Sequence, residues 1–129
     1  MKIRWPKLLA PGLALALGLA IAPVARAEPP AIMQQEINYL IRHIGNSGCA
    51  FKRNGTWNDS KTAEAHVRGK YEYLATAGRI DTTKDFIDKA ATESSLSGQP
   101  YEIRCRGDLP MASSLWLSNE LARYRASHQ

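Results

Sequence analysis

The sequence predicts an α+β fold, in which a small antiparallel sheet (a hairpin plus one further strand) is packed by about four helices and carries one disulfide. Three observations predict it. Apolar residues recur at helical spacing in four separate stretches. An Asn54-Gly55 pair, a strong short hairpin signal, follows the alternating run Cys49 to Arg53. The chain holds only two cysteines, Cys49 and Cys105, and each sits at the end of an alternating run.

The first helix is expected over about residues 31–44, where Met33, Ile37, Leu40 and Ile44 form one stripe with Ile41 beside it. Gly45-Asn46-Ser47-Gly48 is then expected to stop it. Cys49 and Phe51 fall on one side of the next strand, and Thr56-Trp57 starts the return strand. Asn58-Asp59-Ser60 offers caps for a long helix ending near Ala77 and closed by Gly78, with Ala63, Val67, Tyr71 and Leu74 as its stripe. Thr82, with Asp85 three residues on, resembles a capping box for a shorter helix that buries Phe86, Ile87, Ala90 and Ala91. A serine-rich turn, Ser94 to Pro100, leads to a strand placing Tyr101, Ile103 and Cys105 on one face. The last helix spans about 112–125, with Leu117, Leu121 and Tyr124 inward.

Residues 1–27 read as a secretory signal peptide, leaving one domain over 28–129. Lys2, Arg4 and Lys7 precede an apolar run from Leu8 to Ala22, and Ala25-Arg26-Ala27 gives the small-x-small cleavage pattern. The run is shorter than the roughly 20 apolar residues of a spanning helix. A periplasmic or secreted location with no membrane attachment after cleavage is therefore expected. The leader also accounts for the basicity. Four of the 17 basic residues and none of the 12 acidic ones lie in it, so the net charge drops from +5 to +1 without it. A domain that neutralises several phosphates displays a clear basic excess, so nucleic acid is excluded as a partner. In an exported chain the single cysteine pair reads as a Cys49–Cys105 disulfide.

Several stretches resemble the YfeK-like family of small exported bacterial proteins of unknown function. They are Phe51-Lys52-Arg53-Asn54-Gly55, the segment Glu64 to Lys70, Asp85-Phe86-Ile87, the segment Ser94 to Tyr101, and Trp116-Leu117. The resemblance implies export and a shared fold, carries over no activity, and has the cysteine pair in only some relatives.

The helix around His66 carries the most chemical information. At about 100° per residue, Lys70 falls inside the arc of Ala63, Val67, Tyr71 and Leu74, and His66 lies on its edge. Glu64 and Arg68 form an i,i+4 pair on the other flank. An inward Lys and an edge His are satisfied either by snorkelling and a bond to a neighbouring loop, or by lining a cleft for an anionic or hydroxylated ligand. The second reading places a ligand site where hairpin, helix and serine turn converge, formed by Arg53, Asn54, His66, Arg68, Lys70, Ser95 and Tyr101. The partner would be an envelope protein, a cell-wall fragment or a small ligand. An alternative is a small hydrolase using Ser95 or Ser97 with His66, although Gly-x-Ser-x-Gly is absent and Ser, Gly and Pro equally suit a tight turn. A third is a structural envelope component without a pocket. No catalytic residue, metal or cofactor is assigned: Glu64 and His66 point about 200° apart, and His43 and His128 lie on different elements. Trp116 falls off the inner stripe of its helix, so it either anchors a partner or packs between helix and sheet; Trp57 poses the same choice.

Overall fold

The computed structural model describes residues 2–7, 9–21 and 30–128. The cleavage pattern at Ala25-Arg26-Ala27 lies outside the described residues. Residues 9–21 carry no regular structure, and Leu9, Leu13 and Leu19 are exposed. Among the described residues no helix is long and apolar enough to cross a membrane.

Four helices and four strands follow in the order α1 (Pro30–Asn46), β1 (Ala50–Arg53), β2 (Thr56–Asn58), α2 (Ser60–Thr76), α3 (Thr83–Ala90), β3 (Glu102–Arg104), β4 (Met111–Ala112) and α4 (Ser113–Ser127). The sheet is antiparallel throughout, in the order β2-β1-β3-β4. β4 adds a fourth strand to the predicted three. It pairs with the preceding strand through Glu102 and Ile103, and at two residues it is too short to show an alternating pattern.

Register explains which side is buried. Phe51 pairs with Ile103, and Ile103 with Met111, placing these apolar side chains on one face. Lys52, Trp57, Glu102 and Arg104 occupy the other by strand alternation. The helices cover the apolar face. α1 is the central one, its Ile37, Leu40, Ile41 and Ile44 almost wholly inaccessible, with Phe86 of α3 and Leu117 of α4 against them. The Cys49–Cys105 bridge (S–S 2.06 Å) extends the β1–β3 ladder by one position beyond the Ala50–Arg104 pair.

The predicted caps form. Asp59 accepts from the Thr62 N–H at 2.8 Å, and Thr82 accepts from the Asp85 N–H at 2.9 Å. The end of α1 differs from expectation, because the helix runs through Gly45 to Asn46. A Cβ at Gly45 would sit 2.0 Å from Oε2 of Glu64 on α2, so a side chain there would require that carboxylate to move. That carboxylate packs over the α1 backbone and makes no salt bridge with Arg68, which corrects the expected i,i+4 pair.

Two buried carboxylates stitch the helices together. Glu36 of α1 accepts from Arg125 Nε (2.6 Å) and Nη2 (2.8 Å) on α4, and from Thr83 Oγ1 (2.7 Å) on α3. Glu120 of α4 accepts from the Tyr39 hydroxyl at 2.5 Å and pairs with Arg123 and His43. The Arg125 hydrogen bonds hold the Glu36 carboxyl below its usual range against the opposing effect of burial.

Candidate functional site

The site begins at the hairpin. Asn54 (φ 50°) and Gly55 (φ 79°) both take left-handed backbone, the pair of conformations a two-residue type I′ turn requires. Arg53, the last residue of β1, therefore projects on the same face as Phe51, toward α2. There its Nη1 donates to Nδ1 of His66 at 2.9 Å. A guanidinium only donates, so Nδ1 carries the lone pair and the neutral ring bears its proton on Nε2. Nε2 donates to the Tyr101 hydroxyl at 3.1 Å. Burial, then the charges of Arg53 and Lys70, depress the His66 pKa, which keeps the imidazole neutral.

The serine turn supplies the third wall. An isolated Glu93–Pro100 bridge closes it, and the buried Ser94 hydroxyl accepts from the Leu96 and Ser97 N–H groups at 3.2 and 3.4 Å. Tyr101 emerges with its N–H on the Thr92 carbonyl (2.8 Å) and its ring buried. Lys70 reaches across from α2, donating to the Glu93 carbonyl at 2.7 Å with its ammonium 5.3 Å from the Tyr101 ring centroid. Burial lowers the Lys70 pKa, and Glu93 opposes that shift. Burial raises the Tyr101 pKa, keeping the phenol protonated. Ser97 donates to Oδ1 of Asn54 at 2.5 Å and so ties turn to hairpin.

Behind these groups lies a small cavity of about 30 Å³. By volume that is room for about two water-sized groups. Arg53, His66 and Tyr101 line one side, and Phe51, Val67 and Leu117 give it apolar walls. Ser113 also lines it, and sequence reasoning missed this residue. It is 3% exposed, and its hydroxyl has no hydrogen-bond partner. Its position four residues before Leu117, on the inner stripe of α4, was the available signal. A serine at a helix start reads as a cap, but the N-cap here is Ala112, and no side chain caps α4.

The structure thus brings Arg53, His66, Lys70 and Tyr101 together, with Asn54 joined to them through Ser97. Arg68 projects from another face of α2, about 160° from His66, and makes no hydrogen bond or ion pair with this cluster among the described residues. Ser95 is exposed and makes no hydrogen bond among the described residues. Neither Ser95 nor Ser97 lies within hydrogen-bond reach of His66, whose nitrogens face Arg53 and Tyr101. Trp116 is half-buried, stacked on His43 at 4.6 Å and edge-on to Phe51 at 5.9 Å, the helix-to-sheet packing role. Trp57 lies on the uncovered face of the sheet, with the Arg104 guanidinium 4.4 Å from its centroid. Among the described residues no group of three or more His, Cys, Asp or Glu side chains is placed to hold a metal ion.

Comparison with known proteins adds a family and no activity. The chain is 34% identical over 86 residues to the "Uncharacterized protein YfeK" of Salmonella typhimurium, an alignment covering 66% of this chain and 70% of that protein. No solved structure gives a significant match. Residues 31–125 match a family described only as one of unknown function; the cavity and its polar rim fall inside the match, as do all elements but the first residue of α1 and the last two of α4. The chain belongs to this family, DUF5329.

Proposed function

We propose that the chain is an exported binding module whose site is the cavity rimmed by Arg53, His66 and Tyr101. The observation that carries this reading is convergence. Residues from β1, α2 and the segment before β3 are hydrogen-bonded to one another around a cavity with apolar walls. Such a mixture, mostly apolar walls and a few convergent polar groups, is how small-ligand sites are built. The Cys49–Cys105 bridge supports a periplasmic or secreted location, where disulfides persist. The leader pattern of residues 1–27 supports it independently. The ligand is a small molecule or the terminal group of a cell-wall fragment or envelope partner, because the cavity admits only a few heavy atoms.

The test is a thermal-shift screen of small anionic, neutral and cationic compounds against the disulfide-bonded protein and an Arg53→Ala/His66→Ala variant that circular dichroism shows to be folded. Compounds that raise the melting temperature of the parent and leave the variant unmoved support the reading. A screen in which every hit acts equally on both proteins contradicts it.

A further inference from the structure

Arg53, Tyr101 and Ser113 can each offer the cavity a hydrogen-bond donor. In the neutral His66 tautomer fixed by Arg53, the Tyr101 oxygen accepts from Nε2–H, and its own proton has no acceptor among the described residues. The buried Ser113 hydroxyl is unpartnered. The first-turn N–H groups of a helix have no intrahelical acceptors. Here α4, which starts at Ser113 on the cavity wall, has no capping side chain, although the Ser113 N–H itself donates to the Tyr101 carbonyl at 2.9 Å.

Arg53 also favours an anion, against the Glu93 carboxylate that acts on Lys70 and Tyr101. Arg53 has no carboxylate within 4.0 Å among the described residues, and its close partner is a neutral imidazole. The Lys70 ammonium lies 5.3 Å from the Tyr101 ring centroid and rests on the Glu93 carbonyl. The positive end of the α4 dipole adds to this field. A guanidinium, two hydroxyl donors and an open helix start ask for an anion that accepts several hydrogen bonds at once. Phe51, Val67 and Leu117 ask for an apolar group attached to it.

We propose that this cavity takes the carboxylate end of a small, otherwise apolar ligand, with Arg53, Tyr101 and Ser113 as its donors. The proposal rests on the cavity being the binding site and adds the chemistry of what enters it. The planar carboxylate occupies the cavity, where it can meet the orphaned Ser113 hydroxyl and the guanidinium of Arg53, which has no carboxylate partner among the described residues, and a short aliphatic chain runs past Val67 toward the open side. Ser113 is then a residue kept for binding at the expense of stability. Removing an unsatisfied buried hydroxyl leaves a stable fold untouched or strengthens it.

The experiment follows amide chemical shifts of the disulfide-bonded protein, prepared by expressing the full chain, during titration with butyrate, butyramide or n-butylamine. The expected result is shifts at Ala63, Val67, Ser113 and Leu117 with butyrate at millimolar affinity, at least about tenfold weaker binding of butyramide, and none of n-butylamine. Arg53→Met brings the butyrate-to-butyramide ratio to about one. Ser113→Ala weakens butyrate about fivefold while its melting temperature stays level or rises, which a merely structural serine would not do. Equal binding of butyrate and butyramide by the parent overturns the carboxylate assignment and leaves the cavity as a binding site. Absence of shifts at these four amides with all three probes up to about 50 mM overturns the inference, and the compound screen then judges the cavity by itself. The parent ratio decides the matter even if Arg53→Met does not fold.

Discussion

Arg125→Met removes the guanidinium that neutralises Glu36. The Glu36 side chain is 4% exposed, while that of Arg125 is 45% exposed, so the two ends of the pair stand in different media. Breaking a fully buried pair costs about 3–5 kcal/mol because a charge is left behind uncompensated. Here nearly half of the Arg125 side chain is already in water, which screens the interaction. The Thr83 hydroxyl still donates to the carboxylate. Together these bring the expected loss to about 2 kcal/mol. In a urea titration with a slope of about 2 kcal/mol/M the midpoint falls by about 1 M. Replacing both partners, as Glu36→Met/Arg125→Met, recovers at least about half of the loss, because no buried charge remains. The pH dependence has a definite sign. Glu36 titrates below its ordinary 4.5 in the folded protein, so its contribution is present above that value and lost as pH falls through the depressed one. The gap between parent and Arg125→Met therefore closes on acidification. A loss under about 0.5 kcal/mol, or a double variant no better than the single one, would refute this reasoning.

Three further outcomes are expected. Cys49→Ala/Cys105→Ala opens a cross-link spanning 56 residues and lowers unfolding free energy by about 4 kcal/mol in the chain-entropy model, read from urea midpoints; a loss under about 1 kcal/mol would contradict it. Gly45→Ala gains helix propensity of up to about 1 kcal/mol only when Glu64 is also truncated to Ala, since the new methyl group meets the Glu64 carboxylate; equal gains with and without Glu64 would show that the carboxylate moves freely. His66 titrates below its ordinary 6.5 when folded, so its contribution is intact above about that pH and lost as pH falls through the depressed value; His66→Gln should flatten this slope, and an unchanged melting profile would exclude the depressed pKa.

Local pattern made much of the fold legible. The stripes of α1 and α2, the Asn54-Gly55 turn and the caps at Asp59 and Thr82 follow from neighbours within a few residues, and each forms. Features that depend on distant partners were not legible. β4 was missed for another reason: its partner Ile103 is near in sequence, but two residues are too few to show alternation. Gly45 resembles a helix stop until Glu64 is seen lying on it. In the site, Lys70 inside the apolar arc and His66 at its edge were visible from angle alone, and both meet partners across the chain. Arg68 was grouped with them because it lies in the same family-like stretch, Glu64 to Lys70, and the helical angle separates it. Among the serines the turn geometry decided: Ser94 folds the turn and Ser97 fastens it, while Ser95 faces outward. Ser113 was hidden because a serine before a helix has an ordinary explanation that this structure does not use. Glu36 was missed in the sequence, although it lies within about 40° of Leu40 on the α1 wheel.

The most direct test of the site is the nitrogen spectrum of the His66 imidazole in the disulfide-bonded protein, recorded through pH with and without butyrate. The account predicts a neutral ring at pH 7.5, protonated on Nε2, with a pKa below the ordinary 6.5 that rises when butyrate places a negative charge beside Arg53. A ring protonated on Nδ1, or a pKa that butyrate leaves unmoved, would contradict it.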